Sequence, residues 1–569
     1  MITTRRKLVA TPPLPPAARD RGRKASPAAG PPAPAASYDE PNALSDTEAA
    51  GALPDEVLTA CLAGAKTSER VLRLAQAHMV RMNAIHVAAA LDALGAIFVA
   101  RRGSPEAAVA FARDDRTTAL LELGTALCAQ MTPRDLVASL RGCARLSHDP
   151  GSAFQAAWER AAVAQAARFR PRDVAGAAWC YGQIRLRAGP AWGAARDALY
   201  EALAPDMRPE ELAAVYWGHG RLGVAPTRSS RVALGAAAAA ACASDLMGSR
   251  ELANILWGAA SWSAPPVHGA GGGSAFGPPG WRLTAAWAEG LAASGEPRLR
   301  EASAQELANV IFGLARLGAA PERPWRDAFY AAFGIRIADR SATPQHLAAT
   351  LYALSSLTPP RGGARGVPEV PPAAWLDTFW QASRAALPRS SAQQVANTFS
   401  AAARLRVAPP PEWLAAFWPR SAALLRGGTP TEVSATLAAA AALGVTPPPA
   451  WTRALWTEPA CLGLKGGTCA EVAQAARSLA ALQLRPPERW MAEFANTASR
   501  SMASGEGRAL EQLLLSFLAL LPEEGLVSRA AAALPERILA EAQRRGTGPV
   551  AAVAVVTDEC DERSALASP

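Results

Sequence analysis

The sequence predicts an all-α fold, a right-handed α-solenoid of antiparallel helix-pair repeats of about 38 residues each. Three observations predict it. Half of the 569 residues are apolar but only 6% are aromatic, and the dominant apolar residue is Ala, the best helix former because it loses no side-chain entropy. No stretch sustains the period-two alternation of a strand. An aliphatic residue recurs at Leu136, Val174, Leu212, Leu252, Leu307, Leu347, Val395, Val433 and Val472, in steps of 38, 38, 40, 55, 40, 48, 38 and 39, which is how a repeat array reads. One such helix pair cannot bury its apolar face alone, so the units must stack.

Taken in order, residues 1–52 read as a disordered N-terminal tail and transit peptide. Arg5, Arg6, Lys7, Arg19, Arg21, Arg23 and Lys24 face Asp20 alone before Asp39. Arg enrichment without a long apolar run fits chloroplast targeting, with mitochondrion as the alternative; an ordinary Pro/Ala tail has the same composition. Residues 53–130 read as degenerate N-terminal helical repeats, in which NAIHVAAALDALG puts Val87 in the anchor position. Residues 131–500 form the solenoid proper, and its two longest steps hold Gly-rich insertions at 267–277 and 361–368. Residues 501–569 are expected to be a C-terminal helical cap and a disordered tail. No apolar run is long enough for a membrane span.

Within a repeat, helix A starts at a hydroxyl residue, as in TPQHL and SAQQV, where a side-chain oxygen can cap free amides and Pro suits the first turn. The fourth residue after the anchor is large (Leu140, Leu256, Ile311, Leu351, Phe399, Leu437), and so is the tenth (Leu146, Leu222, Leu317, Leu357, Leu405, Leu443). The sixth and eighth are nearly all Gly, Ala or Ser, which lets a neighbouring helix approach closely. A Pro-rich turn ends helix A. Eighteen residues after the anchor comes a Trp: Trp192, Trp325, Trp413, Trp451 and Trp490, with Trp281 and Trp375 displaced by the insertions. This Trp reads as a wedge between helices. The Leu212 repeat lacks the Pro-Trp turn.

The segments ELANILWGAA (251–260), ELANVIFGLARLG (306–318), QVANTFSAAARLRVAPPPEW (394–413) and EVSATLAAAAALGVTPPPAW (432–451) resemble the octotricopeptide repeat family over about residues 82–500. The resemblance implies an organellar RNA-binding protein of the green-algal kind, mostly chloroplast, acting in RNA stability, processing or translation. Many relatives end in a small RAP domain. None is recognised after Pro522, which argues against a nuclease-like role. The second residue after the anchor matches the family's Asn at Asn254, Asn309 and Asn397, and is Ala, Gly or Gln in the other repeats.

The second, fifth and ninth residues after the anchor share one stripe of helix A. The fifth and ninth vary in pairs: Arg141 with Arg145, Trp179 with Gln183, Trp217 with Arg221, Trp257 with Ser261, Phe312 with Arg316, Tyr352 with Ser356, and Ser400 with Arg404. The last two pairs, Ala438 with Ala442 and Arg477 with Ala481, are poor in readers. A flat ring beside a donor is what a base reader needs. The bland alternatives are that the rings are inter-repeat core and the Arg residues a solvated edge.

Single-stranded organellar RNA is thus the expected partner, together with other organellar RNA-processing proteins. A protein-interaction scaffold of the HEAT or armadillo kind is the competing reading, favoured by the near-neutral charge of the chain after residue 36. No enzyme is expected: the chain has no phosphate-binding Gly loop on a strand, no GxSxG and no HExxH. No cofactor or metal is expected either, because the eight Cys and six His fall at no metal-ligand spacing.

Overall fold

The computed structural model describes residues 53–244, 246–262, 283–357, 369–504, 507–520 and 529–544. The expected tail at 1–52, the insertions at 267–277 and 361–368, and Trp281 lie outside the described residues. Among the described residues the structure is helical with no strand. It divides into two compact units, Met1–Ala264 and Pro265–Pro569.

The first unit contains α1 (Asp55–Gly64), α2 (Ser68–His78), α3 (Ala84–Ala100), α4 (Pro105–Ala112), α5 (Asp115–Leu127), α6 (Pro133–Arg145), α7 (Ser152–Ala164), α8 (Pro171–Ile184), α9 (Pro190–Leu203), α10 (Pro209–Leu222), α11 (Arg228–Ala243) and α12 (Ser249–Trp262). The second contains α13 (Leu283–Gly295), α14 (Ala304–Leu317), α15 (Arg323–Ala338), α16 (Pro344–Leu354), α17 (Ala373–Ala386), α18 (Ala392–Leu405), α19 (Pro411–Leu424), α20 (Pro430–Leu443), α21 (Pro449–Thr457), α22 (Cys469–Ala481), α23 (Glu488–Ser501), α24 (Gly507–Leu518), α25 (Arg529–Ala532) and α26 (Leu534–Arg544). In the first unit the A helices α3, α6, α8, α10 and α12 pack each on the next, and α5, α7, α9 and α11 do the same as a second layer. In the second unit α14, α16, α18, α20, α22 and α24 form one such row, and α15, α17, α19 and α21 form the other. Each unit is therefore a helix-pair solenoid.

The local chemistry explains the boundaries. Thr132, Ser303, Thr343, Ser391, Thr429 and Thr468 each precede helix A in a capping box with the residue three places on. The hydroxyl covers one free amide and the returning side chain covers another. Helix A ends in a left-handed residue at Gly223, Gly318 and Gly444, but also at Arg185 and Arg406. Glycine takes that conformation without a Cβ clash. Helix B closes through a short 3₁₀ turn, as at Ala204–Asp206, Leu387–Arg389 and Leu425–Gly427.

All ten anchors, Val87 included, are buried, and so are the large residues four places on. Ten places on, Leu146, Leu357 and Leu405 are buried while Leu222, Leu317 and Leu443 are half-buried. Trp192, Trp325, Trp375, Trp413, Trp451 and Trp490 are all buried wedges. Several are pinned to the preceding repeat: the Trp413 indole N–H donates to Ser383 Oγ at 3.1 Å, and Trp451 donates to Ser421 Oγ at 3.0 Å. In the Leu136 repeat Phe154 takes the wedge position and is buried. In the Leu212 repeat Ser230 stands there, donating to the Asp197 carbonyl at 3.0 Å.

Candidate nucleic-acid interface

The A helices of the first unit meet at glycine. A Cβ on Gly142 would lie 2.1 Å from the Leu91 carbonyl oxygen, one on Gly218 2.2 Å from that of Ala178, and one on Gly258 2.3 Å from that of Tyr216. Such contacts hold neighbouring helices parallel and in register, and they bring the fifth and ninth positions of successive repeats side by side.

At the start of this row Asp92 occupies the fifth position after Val87. Its carboxylate accepts from Arg141 Nε and Nη2, both at 2.9 Å, and from Arg145 Nη1 at 3.0 Å. Further along, Trp179 stacks on Trp217 with centroids 6.1 Å apart and planes 22° apart. The Arg221 guanidinium lies 5.5 Å from the Trp217 ring centre. Trp257 leans on Gly220, whose missing Cβ would fall 3.0 Å from its ring. Trp217 and Trp257 are only 9% and 7% exposed, so their rings belong mostly to the contact between helices. Trp179, Gln183, Asn254 and Ser261 are half-buried. The Ser261 hydroxyl is used within its own helix, donating to the Trp257 carbonyl at 2.7 Å.

The second unit repeats the motif with different side chains. Arg316 lies 5.9 Å from the half-buried Phe312 ring. Arg404 reaches back one repeat, 4.7 Å from the centre of the Tyr352 ring, and donates to Ser356 Oγ at 3.1 Å. Ser356 in turn donates to the Tyr352 carbonyl at 3.0 Å. Asn309 and Asn397 are half-buried, and neither they nor Asn254 make a side-chain hydrogen bond among the described residues. Their amides remain available as donor and acceptor.

Two kinds of residue on this surface escaped the sequence reading. Asp92 was hidden because Val87 is a weak copy of the anchor. The left-handed position eleven after the anchor is Gly in some repeats, but Ser147 (φ 52°), Arg185 (φ 63°), Arg406 (φ 55°) and Gln483 (φ 54°) sit in the same conformation. Behind the row, Tyr200 and His219 form a buried pair, with the hydroxyl 3.2 Å from Nε2 and Nδ1 2.8 Å from the Val224 carbonyl. Burial, reinforced by the Arg196 charge, pushes His219 down to about 3. That is a satisfied, neutral core histidine, with its second nitrogen spent on backbone.

Each unit, taken by itself, therefore offers rings, guanidinium groups and free amides along its A helices. Residues 244–457 match the family described as Tbc2 translation factor, N-terminal domain. The matched stretch runs from just before α12 to the end of α21 and holds the Leu252 to Val433 anchors. No curated protein matches the chain. Among the described residues no helix is long and apolar enough to cross a membrane.

Proposed function

We propose that this chain is an octotricopeptide-type protein that binds single-stranded RNA selectively, without catalysis, and serves an organellar step of translation, RNA stability or processing. The observation that carries the reading is the row of paired rings and arginines at fixed positions on successive A helices, with Arg404 on Tyr352 as its clearest unit. Every base has a face that stacks on such a ring, and stacking is worth ~1–3 kcal/mol per base. Similarity to a translation factor domain over 244–457 supports a role in translation. The basic N-terminal composition supports a chloroplast, or alternatively a mitochondrial, address.

The test is binding of single-stranded RNA to the full chain. Trp217 and Trp257 are poor positions to mutate, because truncating a buried ring also unfolds its surroundings. Trp179, Phe312 and Tyr352 are the better set. Replacing all three by Ala should weaken binding at least tenfold while helicity stays unchanged. Binding unaltered by this triple change sinks the row as the reader. Salt separates RNA from a scaffold role: affinity for RNA falls steeply as counterion release loses its advantage, whereas an apolar protein contact is nearly indifferent.

A further inference from the structure

The last turns of α8 and α10 touch at glycine: a Cβ on Gly182 would lie 2.5 Å from the Gly218 Cα. Three residues beyond each stands an arginine, Arg185 beyond Gly182 and Arg221 beyond Gly218. Arg185 lies just past the end of α8 and Arg221 in the last turn of α10, both at the C-terminal edge of the row and near enough for the Arg185 charge to act on Arg221. On the same stripe of the Leu136 repeat, Arg141 and Arg145 are neutralised by sharing Asp92. Among the described residues neither Arg185 nor Arg221 has a carboxylate within ion-pair distance. The Arg221 Nε is buried and has no hydrogen-bond partner. Burial and the Arg185 charge hold Arg221 below its usual range.

The exposed end of a helix favours a cation, because its last carbonyls carry partial negative charge. Arg185 occupies the left-handed position that follows helix A, φ 63°, as do Ser147, Arg406 and Gln483 in their repeats and Gly223, Gly318 and Gly444 in others, so that conformation belongs to the repeat's turn. Beside the two cations are the Trp179 ring, half-buried and stacked on Trp217, and Gln183, whose amide has no hydrogen-bond partner among the described residues.

We infer that Arg185 and Arg221 form a phosphate seat, which holds one backbone phosphate of single-stranded RNA while the adjoining base lies on Trp179. The inference rests on the reading that this row binds RNA, and it adds the point at which the backbone is gripped. Two guanidinium groups can fork onto one phosphate and are relieved of mutual repulsion by it.

The experiment measures anisotropy of a fluorescein-labelled, randomised single-stranded RNA pool of about 20 nucleotides against the full chain over a range of salt. Arg185→Gly should weaken binding several-fold and flatten the slope of log affinity against log salt by about 0.7, the value for one phosphate on a single strand. Its unfolding midpoint should equal or exceed that of the parent, since glycine accepts the left-handed backbone. A weaker binder that is no less stable separates ligand contact from a structural role. Arg221→Gln should flatten the slope in the same way, and Arg221→Lys should restore part of it. Unchanged slopes in Arg185→Gly and Arg221→Gln, with binding still lost in the Trp179, Phe312 and Tyr352 triple variant, overturn the phosphate seat and leave the RNA reading standing. A parent chain that does not bind the pool overturns both.

Discussion

The two units differ in the rings that their A rows carry. In the first, tryptophans line the A row at Trp179, Trp217 and Trp257, where the helices meet at Gly142, Gly218 and Gly258. In the second, the A row holds Phe312 and Tyr352 and then fades to Ser400, Ala438 and Arg477. Both units also pack rings in the B layer, Trp158 edge-on to Trp192 at 5.3 Å in the first, and the second has more of them. Trp380 meets Trp413 at 5.3 Å, Trp418 meets Trp451 at 5.5 Å, and Trp456 meets Trp490 at 5.1 Å, all near edge-on. Edge-to-face pairs add about 0.5–1.5 kcal/mol each beyond burial. The difference teaches where binding and stability are entangled. In the first unit the candidate readers Trp217 and Trp257 are buried on the same helices that meet at glycine. In the second, Tyr352 is half-buried and Arg404 is exposed.

The largest effect should come from the second unit's B layer. Trp413→Ala removes a buried ring, its stack on Phe417 at 4.9 Å and the indole bond to Ser383. The expected loss is about 3–5 kcal/mol, read as a lower urea midpoint with faster hydrogen exchange in α17 to α21. RNA binding through Trp179 should hardly change under native conditions. A midpoint equal to the parent's would show that Trp413 is no wedge.

In the first unit the corresponding probe is Gly218→Ala. The new methyl meets the Ala178 carbonyl oxygen at 2.2 Å and its carbon at 2.6 Å, atoms of a helix backbone that cannot swing aside. Overpacking of this kind costs about 1–3 kcal/mol, which exceeds the ~1 kcal/mol that Ala gains over Gly in a helix. Because Trp179 and Trp217 flank the contact, affinity for RNA should fall together with stability. A variant that is more stable than the parent would mean that the helices are not seated on glycine.

How far this contrast was readable from sequence depends on the residue. Period, anchors and wedges were legible because one physical demand, burying the same face of each helix, repeats at a constant spacing. The small residues six and eight places after the anchor signalled close approach. They did not signal that Gly142, Gly218 and Gly258 touch backbone while Ala353, Ala401 and Ala439 stand in those places in the second unit, since that depends on the separation of helices. The stripe of rings and arginines was legible as a stripe. Its division into buried Trp217, half-buried Trp179 and Asp92-paired Arg141 was not, because each outcome is set by a side chain one repeat away. Arg185 was invisible as a left-handed residue because nothing in its own neighbourhood demands that conformation; only the fold does.

Acid should weaken the first unit. His219 is neutral and buried, with its pKa lowered to about 3, first by loss of solvent and then by the Arg196 charge. The unfolded chain takes up a proton below about 6.5 and the folded chain does not, so stability present above that pH is lost as pH falls towards 3. The slope attributable to this one group is about 1.4 kcal/mol per pH unit. His148 is also lowered by burial and acts in the same direction, as His346 does in the second unit. Comparison with His219→Gln isolates the group: between pH 6.5 and 5 the variant should lose less stability than the parent. Equal losses would mean that His219 is solvated in solution.

The smallest effect sharpens the comparison most directly, because it repeats one substitution in the other unit. Gly444 ends α20 with φ 65°, and a Cβ placed there meets nothing within 4 Å. Gly444→Ala therefore carries no steric clash with a neighbouring helix, only the penalty of a left-handed backbone with a side chain, about 1 kcal/mol. The same change at Gly218 introduces the clash and improves the backbone term. If the two changes shift the unfolding midpoint through these separate causes, shortening the Ala178 side of the contact cannot rescue Gly218→Ala, while Gly444→Asn should recover most of the loss at Gly444, since Asn tolerates the left-handed region. A Gly444→Ala chain as stable as the parent, with Gly444→Asn no different, would show that α20 ends elsewhere in solution.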